Sequence, residues 1–167
     1  MTNIHLATCR IVSTGFGSGL IPGPRGTWGS LAFLALWYAL SRTGINIASW
    51  PVHALVVLLV AFAGFCCVRD LVITLPPPPP GKKMDPSFIV VDEWLGMAIA
   101  LSGIDSRCPW MIVASFVLFR LLDATKPGII RRAEHFPGAY GIMLDDIAAG
   151  VAACVLCHAG FFLFSLF

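Results

Sequence analysis

The stretch GIMLDDIAAGVAACVLCHAGFFLFSLF, residues 141–167, places two adjacent aspartates directly before an uninterrupted apolar run. From Ile147 to Phe167 the chain carries no Asp, Glu, Lys or Arg, so this run can cross the roughly 30 Å hydrocarbon core of a bilayer. Removing Asp145 and Asp146 from water would be costly unless another group binds them. The stretch therefore predicts a membrane helix with two carboxylates at its entrance.

The composition of the whole chain indicates an integral membrane protein. Of the 167 residues, 57% are hydrophobic and 12% are charged, and the mean hydropathy is +0.85. Ordinary soluble domains carry about 25% charged residues. The net charge of +2 does not favour a nucleic-acid partner, and the N-terminal segment lacks the pattern of a signal peptide. We expect a single integral-membrane domain over residues 1–167.

The cysteines lie mostly within apolar runs, and their spacing does not indicate a disulfide framework or a structural zinc motif. We interpret them as small core residues. The six cysteines are Cys9, Cys66, Cys67, Cys108, Cys154 and Cys157.

Five apolar runs predict an all-α fold, a compact multi-helix membrane bundle of about five apolar helices, two of them short. The two short middle runs either both span the membrane or form a re-entrant pair that returns to the same side. Five consecutive prolines at 76–80 cannot lie inside a helix, so we expect a stiff loop between the second and third runs. The runs cover residues 28–40, 52–68, 94–104, 110–119 and 147–167.

If all five runs cross, charged residues gather on one side of the membrane. Nine of the eleven Lys and Arg residues lie on that side, which the positive-inside rule makes the cytoplasm. Eight of the nine acids also lie there, and only Asp105 lies opposite. Since acids contribute little to the positive-inside rule, their gathering needs another reason.

Three stretches bring carboxylates and bases to this side, where the third run begins, the fourth ends and the fifth begins. Each stretch alone also fits solvated residues at a helix end or a local ion pair. Together, however, closely packed carboxylates raise each other's pKa unless a cation holds them. Oxygen ligands suit Mg²⁺, and nearby Arg and Lys suit a phosphate group. The residues are Asp92, Glu93, Arg120, Asp123, Lys126, Asp145 and Asp146.

A glycine-rich stretch at 15–30 precedes the first apolar run. Gly26 and Gly29 allow the backbone to approach a ligand closely, and Thr27 and Ser30 offer hydroxyls or a helix cap. A helix that begins here would direct its N–H groups towards an anion. A flexible loop with an ordinary helix cap fits the same pattern.

Four motifs together resemble the phosphatidylglycerophosphatase A family. They are GTWGSL (26–31), DPSFIVVDEWLGM (85–97), FRLLDATKP (119–127) and GAYGIMLDDIAAG (138–150). The resemblance implies a compact all-helical bundle that uses Mg²⁺ to convert phosphatidylglycerol phosphate into phosphatidylglycerol. Arg25 stands where the family usually has proline, and Gly138-Ala139 stands where it has two glycines.

At the matching positions the resemblance implies catalytic and metal-binding carboxylates and a phosphate-binding set. The expected carboxylates are Asp92, Glu93, Asp123, Asp145 and Asp146. The expected phosphate-binding residues are Thr27, Gly29, Ser30, Arg120 and Lys126.

The first hypothesis is a Mg²⁺-dependent lipid phosphatase of the bacterial inner membrane, with its active site facing the cytoplasm. Attack by water ranks above an aspartyl-phosphate route, because no DxDx(T/V)-like nucleophile motif is present. The alternative is a non-enzymatic cation-binding membrane protein or transporter subunit, since acids in membranes often mark ion paths. A transporter needs polar groups near the midplane or on both sides, whereas these acids lie on one side. The pattern leaves open the oligomeric state, the number of metal ions and which acid activates water.

Overall fold

The computed structural model describes residues 2–44, 47–77 and 86–166, and within these ranges it contains helices and no strand. The all-α prediction is therefore confirmed. The predicted proline-rich loop lies largely outside the described residues. The helices are α1 Asn3–Ser13, α2 Arg25–Ser41, α3 Trp50–Val72, α4 Val91–Ala100, α5 Pro109–Thr125, α6 Ile129–Glu134 and α7 Ala139–Phe164, with a 3-10 turn at Ser18–Leu20.

The short helix α4 lies at the centre of the bundle. Eight of its ten residues are buried, and it contacts α2, α3, α5 and α7. Ten residues rise only about 15 Å along a helix, so α4 is too short to cross a bilayer. Asp92 and Glu93 lie in its first turn. The packing of α4 therefore brings two acids into the interior of the bundle.

Two helices, α3 with 23 residues and α7 with 26, are long and apolar enough to cross a membrane. Much of their apolar surface is exposed, as Leu58 (66% exposed), Phe62 (73%) and Phe164 (82%) illustrate. Apolar surface on this scale indicates contact with lipid, so the protein associates with a membrane. Helices α2 and α5 have 17 residues each and α4 has ten. The expectation of about five apolar membrane helices is therefore not confirmed.

Helices α1 and α6 form in segments that the sequence analysis left outside the apolar runs. The Thr2 side chain accepts a hydrogen bond from the His5 backbone N–H at 3.3 Å and caps α1, which packs against α3. The end of α1 also reaches the start of α4, because the Val90 N–H donates to the Ser13 carbonyl at 2.9 Å. Helix α6 packs against α7. Both helices are short, and tertiary contacts supply the stability that their sequences lack.

Glycines allow α4 and α7 to cross at very short range. A Cβ on Gly150 would collide with the backbone carbonyl oxygen of Gly96. A Cβ on Gly96 would collide with the Phe119 ring and lie 2.8 Å from the Asp146 carbonyl oxygen. Such close backbone approach is possible only where both helices lack side chains.

Replacing Gly150 with alanine is expected to reduce the free energy of unfolding by about 1–3 kcal/mol, since backbone atoms cannot rotate away as a side chain can. Thermal unfolding of the detergent-solubilised protein would measure the change. Gly160→Ala is the matched control, because it lies in the same helix and a Cβ there meets nothing within 4 Å. Equal stability of the two variants would contradict the close crossing.

Candidate active site

The five predicted carboxylates line one cavity of about 100 Å³. The cavity lies where α4 begins and α5 ends, and where α7 carries its two aspartates near its start. Residues more than 50 positions apart in sequence therefore converge on the same small space. The lining consists of Asp92, Glu93, Asp123, Lys126, Ile142, Asp145 and Asp146.

Three of these acids have the arrangement of a metal site. One carboxylate oxygen each from Asp92, Glu93 and Asp146 lies within 4.8 Å of the others. Asp92 is 8% exposed and Asp146 is 3% exposed. The Oε2 atom of Glu93 is buried and has no hydrogen-bond partner among the residues that the structure describes. Since an ionised carboxylate is costly to bury alone, the cluster fits a cation.

Burial and like charges also affect the carboxyl groups of α4. Burial raises the pKa of Asp92 well above its usual range, and the neighbouring carboxylates of Glu93 and Asp146 raise it further. Burial likewise raises the pKa of Glu93, although the neighbouring Asp92 side chain and the charge of Arg120 oppose the increase. Both effects mean that the protein alone does not fully compensate two adjacent negative charges.

Arg120 lies beside the acids and is fixed from two sides. Its Nη1 donates to Asp123 Oδ2 at 2.7 Å, as the i,i+3 spacing predicted, and lies 3.5 Å from Ser30 Oγ. Ser30 is fully buried and its hydroxyl donates to the Gly26 carbonyl at 2.9 Å. The hydroxyl proton of Ser30 is already donated to Gly26, so Ser30 cannot donate it to a phosphate. We therefore expect Ser30 to orient Arg120, from which its oxygen can accept a hydrogen bond.

Lys126 connects the cavity to the segment after α5. Its Nζ donates to Asp145 Oδ2 at 2.7 Å and to Glu134 Oε1 at 3.0 Å. Burial lowers the pKa of Lys126, but the hydrogen bonds and charges of these two acids outweigh it, and the net pKa is raised. Lys126 therefore stays protonated. It ends α5 in a left-handed conformation, with φ of 44°, just before Pro127.

Three of the predicted phosphate-binding residues, Thr27, Gly29 and Ser30, lie on the first turns of α2. Thr27 is partly exposed, whereas Gly29 is buried and a Cβ there would lie 2.7 Å from Val90 Cβ. The small size of Gly29 thus serves the packing of α2 on the start of α4. None of the three lines the acid cavity.

The structure adds two residues to the site beyond the expected carboxylates and phosphate-binding residues. A Cβ on Gly26 would collide with Glu93 Oε1 and would lie 3.1 Å from Arg120 Nη2. Glu134 is the second acid bound to Lys126. The glycine-rich motif drew attention to Gly26, but nothing in the basic segment around Glu134 marked it as a partner of Lys126.

A cleft of about 470 Å³ adjoins the acid cavity and shares Asp92 and Glu93 with it. Its other walls come from the glycine-rich segment and from the residues before α4. Arg25 Nη1 donates to Ser87 Oγ at 2.5 Å across this cleft. The cleft has room for a polar headgroup next to the acids. It is lined by Pro22, Gly23, Arg25, Gly26, Ser87, Ile89, Asp92 and Glu93.

Comparison with known proteins agrees with these observations. The family model "Phosphatidylglycerophosphatase A" matches residues 11–161. A Bacteroides thetaiotaomicron protein named "Putative phosphatidylinositol-3-phosphatase" is 38% identical over 149 residues, which cover 87% of this chain and 89% of the relative.

Two further relatives are named phosphatidylglycerophosphatase A. The Escherichia coli protein is 36% identical, over 84% of this chain and 76% of the relative, and the Haemophilus influenzae protein is 34% identical, over 89% and 86%. No solved structure matches the chain. With a matching family model over most of its length, the chain belongs to the phosphatidylglycerophosphatase A family, which is a family of phosphatase enzymes.

Proposed function

We propose that the protein removes the terminal phosphate of phosphatidylglycerol phosphate in a Mg²⁺-dependent reaction that yields phosphatidylglycerol for phospholipid biosynthesis. The observation that carries this proposal is the convergence of five acids and Lys126 on one cavity beside a wider cleft. Two relatives named for this activity support the choice of substrate.

The donor set of the acid cavity fits Mg²⁺. All the candidate ligands are carboxylate oxygens, which Mg²⁺ prefers, and the buried Oε2 of Glu93 is available for coordination. We assign the ion to Asp92, Glu93 and Asp146, with Asp123 and Asp145 in support. When bound, Mg²⁺ polarises the phosphoryl group and lowers the pKa of a coordinated water.

The bases of the site then neutralise the phosphate. Arg120 and Lys126 are held near the cavity by Asp123 and Asp145, so both cations are positioned before the substrate arrives. Positioned charges stabilise the transition state without the cost of reorganisation. The thermodynamic consequence is tighter binding of the transition state than of the ground state.

The reaction we propose is direct hydrolysis. A water oxygen attacks phosphorus, its proton passes to a carboxylate of the cluster, and the bond between phosphorus and the glycerol oxygen breaks. The departing oxygen takes a proton, which leaves phosphatidylglycerol and inorganic phosphate. The cleft that borders Asp92 and Glu93 would hold the glycerol headgroup during this step.

We also propose that the protein is a multi-pass protein of the bacterial inner membrane and that its site faces the cytoplasm. The two candidate spans, α3 and α7, support insertion, and the sequence prediction of five crossings puts most Lys and Arg residues on the side of the acids. A cation transporter is less well supported, because the buried acids form one group at one end of the bundle and not a series across it.

The test is release of phosphate from phosphatidylglycerol phosphate in mixed micelles, with Mg²⁺, after chelation, and after Mg²⁺ is added back. We expect activity with Mg²⁺, loss on chelation and recovery on re-addition. Phosphatidylinositol 3-phosphate is assayed in parallel, because one relative is named for that lipid. Lack of turnover of phosphatidylglycerol phosphate would contradict the proposed substrate, and activity in chelator would contradict the role of the metal.

A further inference from the structure

A second group of metal-binding side chains lies where α1 packs on α3. His5 and Cys9 are four residues apart on α1, and Cys67 and Asp70 are three apart on α3. At these spacings each pair shares one face of its helix. One ligand atom each from His5, Cys9 and Asp70 lies within 4.8 Å of the others, and Cys67 lies near enough to Cys9 for the two thiols to interact.

The distances among three of these donors, His5, Cys9 and Asp70, are close to those of a tetrahedral zinc site. His5 Nε2 lies 2.9 Å from Asp70 Oδ2 and 3.6 Å from Cys9 Sγ. With bonds of about 2.0–2.3 Å to the ion, the donor atoms of a tetrahedral zinc site lie about 3.3–3.8 Å apart. Small side-chain movements would therefore be enough for an ion to replace the existing hydrogen bonds.

The chemistry of the four donors favours zinc over magnesium. Two thiols, an imidazole and a carboxylate are a borderline-soft set, which suits Zn²⁺, whereas Mg²⁺ requires oxygen ligands. Asp70 is already oriented for such a role, because Arg69 Nε donates to its Oδ1 at 3.1 Å and its Oδ2 is directed to His5. An outer partner of this kind fixes the orientation of a ligand.

The site is also accessible to an ion from solvent. Cys9 is 1% exposed, so its thiol is shielded, whereas the side chain of His5 is 47% exposed. A hydrated ion could therefore reach the site from the His5 side. Binding would release the protons of the two thiols to solvent.

We propose that His5, Cys9, Cys67 and Asp70 form a zinc site that fastens α1 to α3. The site shares no residue with the acid cavity. Its structural consequence reaches the active site, because the end of α1 holds the start of α4 through Ser13 and Val90. A fixed α1 therefore restrains the segment from which Asp92 and Glu93 project.

The test uses the full chain in detergent, kept reduced and in excess Mg²⁺. After treatment with a chelator and addition of Zn²⁺, metal analysis of the gel-filtered protein is expected to find about one zinc ion per chain. Co²⁺ in place of Zn²⁺ is expected to give the visible absorption of a tetrahedral thiolate complex. The Cys9→Ser and Cys67→Ser variants are expected to lose both signals, with affinity falling by more than the roughly 100-fold that outer-partner changes cost.

Two matched variants distinguish zinc bound at this site from zinc bound at another cysteine or in the acid cavity. Cys108→Ser removes a cysteine at the start of α5 and should keep the zinc, and Asp146→Asn should keep it although the acid cavity is altered. Zinc is also expected to raise the melting temperature of the wild-type protein and of Cys108→Ser, but not that of Asp70→Asn, which replaces a partly exposed ligand. Absence of stoichiometric zinc in the wild type, or its retention when Cys9 and Cys67 are both serine, would overturn the proposal.

Discussion

Replacing Asp146 with asparagine is expected to lower kcat for release of phosphate from phosphatidylglycerol phosphate by about 10²–10³-fold, the cost of removing one group that stabilises charge in a transition state. Asp146 is 3% exposed, and its carboxylate lies within reach of Asp92 and Glu93. Asparagine keeps the volume of the side chain but removes one negative charge and one ligand oxygen. The affinity for Mg²⁺ should therefore fall together with the rate.

Asp105→Asn is the control for this experiment. Asp105 is exposed in the turn between α4 and α5, and its Oδ1 accepts a hydrogen bond from the Arg107 N–H at 2.9 Å. The control should retain its activity, and both variants should keep their thermal stability in detergent. Full activity of Asp146→Asn over a range of Mg²⁺ concentrations would contradict the site as we describe it.

Replacing Gly26 with alanine is expected to lower kcat by about 100-fold, because a displacement of about 1 Å in a catalytic group can cost that much. The added methyl would collide with Glu93 Oε1 and crowd the Arg120 guanidinium. These atoms are the ends of flexible side chains, so they can move and the fold is expected to survive. The change would therefore affect the chemistry far more than the stability.

Steady-state kinetics and thermal unfolding on the same preparation separate the two effects. The matched control is again Gly160→Ala, which adds the same methyl to a helix where nothing lies within 4 Å. Its activity should equal that of the wild type. A Gly26→Ala protein with wild-type kcat would indicate that Glu93 does not need its present position. A second variant, Gly26→Ser, should be at least as impaired, since its side chain is larger.

The acid cavity was predictable because each of its carboxylates lies at the end of an apolar run. Asp92, Asp123 and Asp146 are charged residues next to hydrocarbon, and an ion or partner is needed to hold them there. Their common side was predicted from the alternation of five crossings, and the structure brings them to one cavity although five membrane-crossing helices are not confirmed. The i,i+3 spacing of Arg120 and Asp123 likewise predicted a pair that the structure places at 2.7 Å.

The remaining features depend on tertiary contacts that a single sequence does not encode locally. Gly26 and Glu134 acquire their neighbours only when α2 and α6 pack against the rest of the bundle. The ends of α4 were not predictable either, because it begins at Val91, before the apolar run at 94–104, and ends at Ala100, before that run does. Cysteines in an apolar run are typical of a core. The interpretation of Cys9 and Cys67 as core residues therefore took no account of His5, which only the packing of α1 on α3 brings near.

The crossing of α4 and α7 has a consequence for discrimination between ions. Gly96 follows Asp92 by four residues, and Gly150 follows Asp146 by four, so each acid lies one helical turn from the point of closest backbone approach. The separation of these carboxylates is thus set by two rigid backbones. At the metal site we propose, a rigid opening would favour Mg²⁺, whose ligands lie at about 2.0–2.1 Å, over Ca²⁺, which requires about 2.3–2.6 Å. Larger side chains at Gly96 or Gly150 would force α4 and α7 apart. Such substitutions should therefore shift the metal preference of the site towards Ca²⁺.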